Sequence, residues 1–155
     1  MRGARFPGRE ELYEELKENY RPQKGEVLFT KDGTIGLTYS LDEDIHVIVS
    51  GAFLRLKPKK GINGKYLALV LNSIFCKAQI ERMSGGAVIA HLKPDSAKKI
   101  NIPLLSEKKQ EEIGVKVTGA FKLRNEANVL LEKAKRTVEL FVEKDEKQAM
   151  AFVSD

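Results

Sequence analysis

The sequence predicts an α+β protein: a mixed or antiparallel, β-rich domain with one packed helix, followed by a single long C-terminal helix of the coiled-coil kind. Two observations carry this expectation. Between Glu26 and Lys57, short β-branched or alternating apolar runs are punctuated by Asp-Gly and Ser-Gly pairs, the pattern of brief strands joined by tight turns. From Ser106 onward no proline interrupts the chain, and Ile113, Ala120, Ala127, Ala134 and Phe141 recur every seven residues.

In chain order, Leu12, Tyr13 and Leu16 lie at helical spacing within Glu10 to Asn19, and Arg21-Pro22 ends that run. Glu26 to Thr30 reads as a strand, Lys31-Asp32-Gly33 as a turn, and Thr34 to Tyr39 as the returning partner. Ile45 to Val49 and Ala52 to Lys57 are expected as further strands about a bend at Ser50-Gly51. From Gly64 the period changes. Tyr66, Leu67, Val70, Leu71, Ile74, Phe75, Ala78 and Ile80 recur at three and four residues, predicting one buried-face helix that closes near Met83 at Ser84-Gly85-Gly86. A strand over Ala87 to Leu92, one helical turn opened by Pro94, and a last strand over Ile100 to Ile102 complete the first domain.

The expected organisation is a domain over residues 1–105, a long helix over 106–147 and a tail over 148–155. The helix carries two apolar rows: Ile113, Ala120, Ala127, Ala134 and Phe141, and then Val117, Arg124, Leu131 and Val138. A rod of about 60 Å is too long for a domain of about a hundred residues to cover its stripe. A long amphipathic helix can instead fold back on its own sheet, but heptad regularity favours a second helix, most simply an antiparallel copy of itself. Arg124 is the seam residue that must snorkel or meet a carboxylate.

The chain has 155 residues and a formal net charge of +5, most of it before the long helix, which suits a polyanionic partner. A lone cysteine, Cys76, forms no internal disulfide, and neither a secretion signal nor a membrane span is legible, so the cytoplasm is the expected compartment. His46 and His91 lack the companions of a metal site and Cys76 reads as a core thiol. Asp42-Glu43-Asp44 reads as an acidic turn. The glycine turns lack the lysine and hydroxyl ending of a phosphate loop and the strand-to-helix context of a dinucleotide fingerprint, so no cofactor or metal is expected. They do offer backbone N–H groups beside Lys31, Thr34 and Ser84, with Lys93 beyond, which suits phosphodiester oxygens; the competing reading is plain turns. Arg55 and Lys57 add positive charge in a basic stretch that continues through Lys59, Lys60 and Lys65.

The order of segments resembles a known family. Gly25-Glu26-Val27-Leu28-Phe29-Thr30-Lys31-Asp32-Gly33-Thr34-Ile35-Gly36, then Ser50-Gly51-Ala52-Phe53-Leu54-Arg55-Leu56, then Tyr66-Leu67 with Leu71-Asn72-Ser73, resemble the target recognition domain of type I restriction-modification specificity subunits. Gly85-Gly86, His91-Leu92, Ile100-Asn101-Ile102-Pro103-Leu104-Leu105, Glu107, Gln110 and Ile113 resemble that family's passage into its spacer helix. The resemblance implies a non-catalytic protein that reads double-stranded DNA, spaces two half-sites with an antiparallel helix pair, and seats adenine methyltransferase and restriction subunits. With that reading, Lys31, Thr34, Arg55, Lys57, Ser84, Gly85, Gly86, His91 and Lys93 of the glycine turns and basic stretches are the expected DNA-facing set, and Ile113, Val117, Ala120, Ala127, Leu131, Ala134, Val138 and Phe141 of the heptad rows the expected dimer seam. Family members typically carry two recognition domains and two spacer helices; one of each occurs here, so a homodimer on a bipartite target is the expectation. Only 24 residues precede Gly25, fewer than the family's domains usually have, and a shortened recognition surface suggests the alternative of a protein–protein adaptor that binds methyltransferase or specificity subunits without reading DNA. No amino-methyltransferase motif, Walker A or nuclease set is present in the sequence.

Overall fold

The computed structural model describes Glu14, Leu16 and residues 20–84 and 91–154. Glu14, Leu16 and Tyr20 are helical. The remainder of the expected first helix, and the expected strand at Ala87 to Ala90, lie outside the described residues. Three strands follow: β1 (Val27–Thr30), β2 (Thr38–Ser40) and β3 (Phe53–Leu56). Five helices come after them: α1 (Gly64–Leu71), α2 (Ile74–Ser84), α3 (Pro94–Ala97), α4 (Glu107–Glu143) and α5 (Glu146–Ser154). The chain divides into two compact units, Met1–Gly114 and Val115–Asp155. No described helix is long and apolar enough to cross a membrane.

In the first unit the sheet is antiparallel throughout, in the order β2-β1-β3, with Phe29 opposite Thr38 on one side and Leu54 on the other. Strand alternation buries Val27 and Phe29, while Leu28 and Thr30 on the other face are half-buried. α1 lies against β1 and β2, and Phe29, Tyr66, Val70, Leu71, Cys76, Ile80 and Leu92 form the core between sheet and helices. Burial pushes the Cys76 thiol up, so it stays protonated and inert. The β1–β2 turn needs glycine at Gly36. Its φ is +83°, and a Cβ there would sit 2.9 Å from the Cδ1 of Ile80.

Three expectations are corrected. Ile45 to Val49 is not a strand: β2 and β3 already occupy both edges of β1, and residues just before β1 satisfy the segment instead. Lys24 N–H donates to Asp44 Oδ1 (2.7 Å), Arg21 Nε to the Ile45 carbonyl (3.3 Å) and Val49 N–H to the Tyr20 carbonyl (3.1 Å). The single helix expected from Gly64 to Met83 is two, because Asn72 turns its amide onto β2. Its Nδ2 donates to the Thr38 carbonyl (2.8 Å) and its Oδ1 accepts from Thr38 N–H (3.2 Å), after which Ser73 Oγ accepts from Cys76 N–H (3.4 Å). The break resets the helical phase, so Ile74 and Phe75 are exposed while Cys76 and Ile80 are buried. Finally, Ile100 to Ile102 is irregular. Gln79 takes the place of a neighbouring strand, accepting from Asn101 N–H and donating to its carbonyl, both at 2.9 Å.

The start of α4 is pinned to the first unit by a polar joint. Gln110 is 1 % exposed; its Oε1 accepts from Asn63 N–H (3.0 Å) and its Nε2 donates to the carbonyls of Leu105 (2.8 Å) and Gly61 (3.2 Å). Asn63 in turn caps α1, its Oδ1 accepting from Lys65 and Tyr66 N–H. Gly114 packs closely on this joint, since a Cβ there would lie 3.0 Å from the Asn63 amide. Gln110→Ala removes the buried amide that bonds three backbone groups and is expected to lower stability by about 1 kcal/mol, read by urea denaturation.

In the second unit α4 ends at Glu143, short of the Lys147 expected, and the residues expected as a tail are helical in α5. Asp145 starts α5 by accepting from Gln148 N–H (2.8 Å). The helix doubles back on α4, placing Lys133 Nζ 6.0 Å from the Phe152 ring and burying Ala149.

Candidate nucleic-acid interface

Residues separated widely in sequence meet where β1 ends. Lys31 N–H donates to the Ala52 carbonyl and Leu92 N–H to the Lys31 carbonyl, each at 2.8 Å, so the β1–β2 turn, the residue before β3 and the segment leading to α3 share one corner. Leu92 is fully buried and anchors that segment, which crosses the turn through an antiparallel bridge between Asp32 and His91. Above the bridge the Asp32 carboxylate contacts His91 Nδ1 and accepts from Lys31 Nζ at 3.0 Å. These two donors, His91 foremost, hold the Asp32 carboxyl below its usual range. Lys93 is exposed one residue past Leu92 and has no carboxylate partner among the described residues. Thr34 is exposed on the turn, its carbonyl accepting from Thr30 Oγ1.

Other members of the expected set lie apart. Arg55 is opposite Leu28 in the sheet, and its guanidinium grips the Glu26 carboxylate with two bonds, Nε to Oε2 at 2.7 Å and Nη2 to Oε1 at 2.8 Å. Burial alone would raise the Glu26 carboxyl, but Arg55, the Gln23 backbone N–H and Lys57 outweigh it and hold it below the usual range. The Arg55 side chain is 15 % exposed, so its charge serves the sheet. Lys57 is exposed beyond the far end of β3, with its ammonium 3.7 Å from Glu26. Ser84 Oγ donates back to the Ile80 carbonyl, and Gly85 and Gly86 lie outside the described residues.

Sequence reasoning named Asp32, Gln110 and Glu26 without giving them a part in any site. A buried partner for Arg55 was legible only as the alternation of Glu26 beside an apolar strand, and Asp32 was read as turn chemistry alone. The acidic cluster resolves into structural contacts, Asp42 with Lys65 (2.8 Å) and Asp44 with the Lys24 backbone. Among the described residues no set of three His, Cys, Asp or Glu side chains converges as a metal site.

Of the seam residues of α4 past the first unit, Leu131 is 54 %, Val138 64 % and Phe141 56 % exposed, with Ala120, Ala127 and Ala134 also reaching solvent. Val117 and, in the first unit, Ile113 are half-buried.

Residues 6–133 match the family model of the type I restriction modification DNA specificity domain. No curated protein sequence matches the chain. Among solved structures, the S subunit of a type I restriction-modification system from M. genitalium is similar with a TM-score of 0.64 at 18 % identity, over 88 % of this chain and 36 % of that one. The chain therefore spans about a third of that subunit's length, and the likeness is one of fold.

Proposed function

Because the chain belongs to the family of type I restriction modification DNA specificity domains, we propose that it is a non-catalytic, cytoplasmic DNA-recognition module that dimerises through α4. Two copies, paired antiparallel, present two recognition units to a bipartite DNA target and seat adenine methyltransferase subunits and, with them, a restriction subunit. The observation that carries the dimer is the uncovered heptad seam, whose exposed Leu131, Val138 and Phe141 an isolated chain would leave in water. Residues 1–105 supply recognition and α4, expected from residue 106, supplies spacing. Lys31, Thr34, His91 and Lys93, gathered at one corner, are the backbone-contacting set, with Ser84, Gly85 and Gly86 beside them in sequence and Lys57 as an outlying cation.

A second reading is favoured by one observation. Arg55 is committed to Glu26 and Lys31 to Asp32, which leaves less accessible positive charge than the sequence suggests and suits an adaptor that engages methyltransferase or specificity subunits without reading DNA.

Light scattering and DNA titration separate these. The module predicts a species of twice 17.4 kDa and duplex affinity that falls linearly on a log-log salt plot. Lys93→Ala is expected to flatten that slope by about 0.9 for each phosphate that the lysine neutralises, without altering sequence preference. A dimer that co-purifies with a methyltransferase subunit and binds no duplex at low salt selects the adaptor, and a monomer under all conditions refutes both.

A further inference from the structure

Among the described residues Asp32 is the acid in a corner otherwise fit for an anion. Its carboxylate lies between the Lys31 ammonium, at 3.0 Å, and the Nδ1 of His91, a residue 59 positions away. The backbone bridge of Asp32 with His91 and the bond from Leu92 N–H to the Lys31 carbonyl fix the two segments together beneath the side chains. The side chains themselves remain at the surface, 18 % exposed for Lys31, 35 % for Asp32 and 48 % for His91.

Charge and proton placement at this corner follow from the histidine. An ionised carboxylate only accepts, so in the neutral imidazole the one N–H sits on Nδ1 and faces Asp32, leaving Nε2 with a lone pair. Nε2 then repels a phosphate oxygen, and the charges of Lys31 and Asp32 cancel. In the imidazolium Nε2 is a donor, and the Lys31, Asp32 and His91 side chains together carry a net charge of +1. Among the described residues the ionisable group in contact with the imidazole is Asp32, whose carboxylate Lys31 also meets; Lys93 follows two residues on in the same segment, and the stretch from Gly85 to Ala90 contains no titratable side chain.

We propose that Lys31, Asp32 and His91 form a single site for a phosphodiester group, in which Asp32 is the positioning residue and the group binds with uptake of one proton at His91. The proposal rests on the DNA-binding reading above and deepens it: nucleic-acid affinity is coupled to pH through one residue. Proton uptake moves no covalent bond other than the N–H formed at Nε2. Since the Asp32 carboxyl is held low by its neighbours, it stays ionised from neutral to mildly acidic pH.

The test is fluorescence anisotropy of the full chain on a mixed-sequence duplex at about 50 mM salt, from about pH 8 to about pH 5.5, spanning the ordinary histidine range. Wild type is expected to gain roughly three- to tenfold in affinity on acidification beyond the gain of His91→Gln, whose profile should be nearly flat. Asp32→Asn keeps an acceptor for Nδ1–H but loses the charge that favours the imidazolium, so its gain should move to lower pH while its affinity near pH 8 rises. Lys60→Ala, an exposed cation elsewhere, should weaken binding without changing the profile. The His91 ring resonances should respond to duplex and much less to inorganic phosphate at equal concentration. Identical pH profiles for wild type and His91→Gln overturn the site, and an equal response to inorganic phosphate overturns its assignment to the phosphodiester backbone. Absence of duplex binding at every pH overturns the DNA-binding reading itself.

Discussion

Arg55→Ala is expected to lower the unfolding free energy by about 3 kcal/mol, a large share of the roughly 5–15 kcal/mol typical of a domain. The Glu26 side chain is 5 % exposed and Arg55 closes it with a two-pronged contact at 2.7 and 2.8 Å, so truncation leaves a carboxylate in a nearly dry site. Lys57, at 3.7 Å and 72 % exposed, replaces little of the missing attraction. The sign of the pH dependence follows from the lowered Glu26 carboxyl. Its contribution to stability is present above the ordinary glutamate range and is lost as pH falls through the depressed folded value. Urea titrations of wild type and Arg55→Ala should therefore differ most near neutrality and converge in acid. The double variant Glu26→Leu with Arg55→Met should recover most of the loss, because the penalty lies in the unpaired charge. A single variant as stable as wild type at neutral pH would show that the pair is solvated.

Leu131→Glu is expected to convert a dimer to a monomer while leaving the recognition unit folded. Leu131 sits past the first unit, in the row with Val117, Arg124 and Val138, and is 54 % exposed in the isolated chain, so a carboxylate there costs the monomer little. In an antiparallel pair two such carboxylates would enter a seam lined by alanines. Burying each without a dedicated partner costs several kcal/mol, and a loss of about 2.7 kcal/mol already raises the dimer Kd by about a hundredfold. Sedimentation equilibrium gives the mass, and circular dichroism checks that the fold persists. Leu131→Ile as a control should stay associated. A dimer unmoved by Leu131→Glu would place the interface on another face.

The most legible elements were those whose signal is periodic and local. The β1–β2 hairpin followed from Asp-Gly after a β-rich run, although its second strand begins at Thr38 and residues 34–37, expected as strand, belong to the turn, and α4 followed from about forty residues without proline. The candidate site was legible as a set of residues and illegible as an assembly. Lys31, His91 and Lys93 belonged to that set, yet nothing local in the chain says that His91 lands on Asp32. Arg55 shows the converse. Its place in a basic stretch suggested an outward cation, but sheet register sets it beside Glu26 across β1, and a carboxylate nearby in space outweighs lysines nearby in sequence.

What the sequence alone determined is thus the α+β class, the family segment order, the long helix and its apolar rows, because hydrophobic period and turn chemistry are carried by neighbours along the chain. What only tertiary structure decided is where long-range polar pairing overrides that period. Asn72 breaks a helix to bond Thr38, Gln79 stands in for a strand beside Asn101, and Gln110 fixes the entry of α4 through Asn63 and Gly61. Each of these is a side-chain amide meeting a backbone group 22 to 49 residues distant, a bond with no local periodicity to announce it but costly to leave unmade once buried.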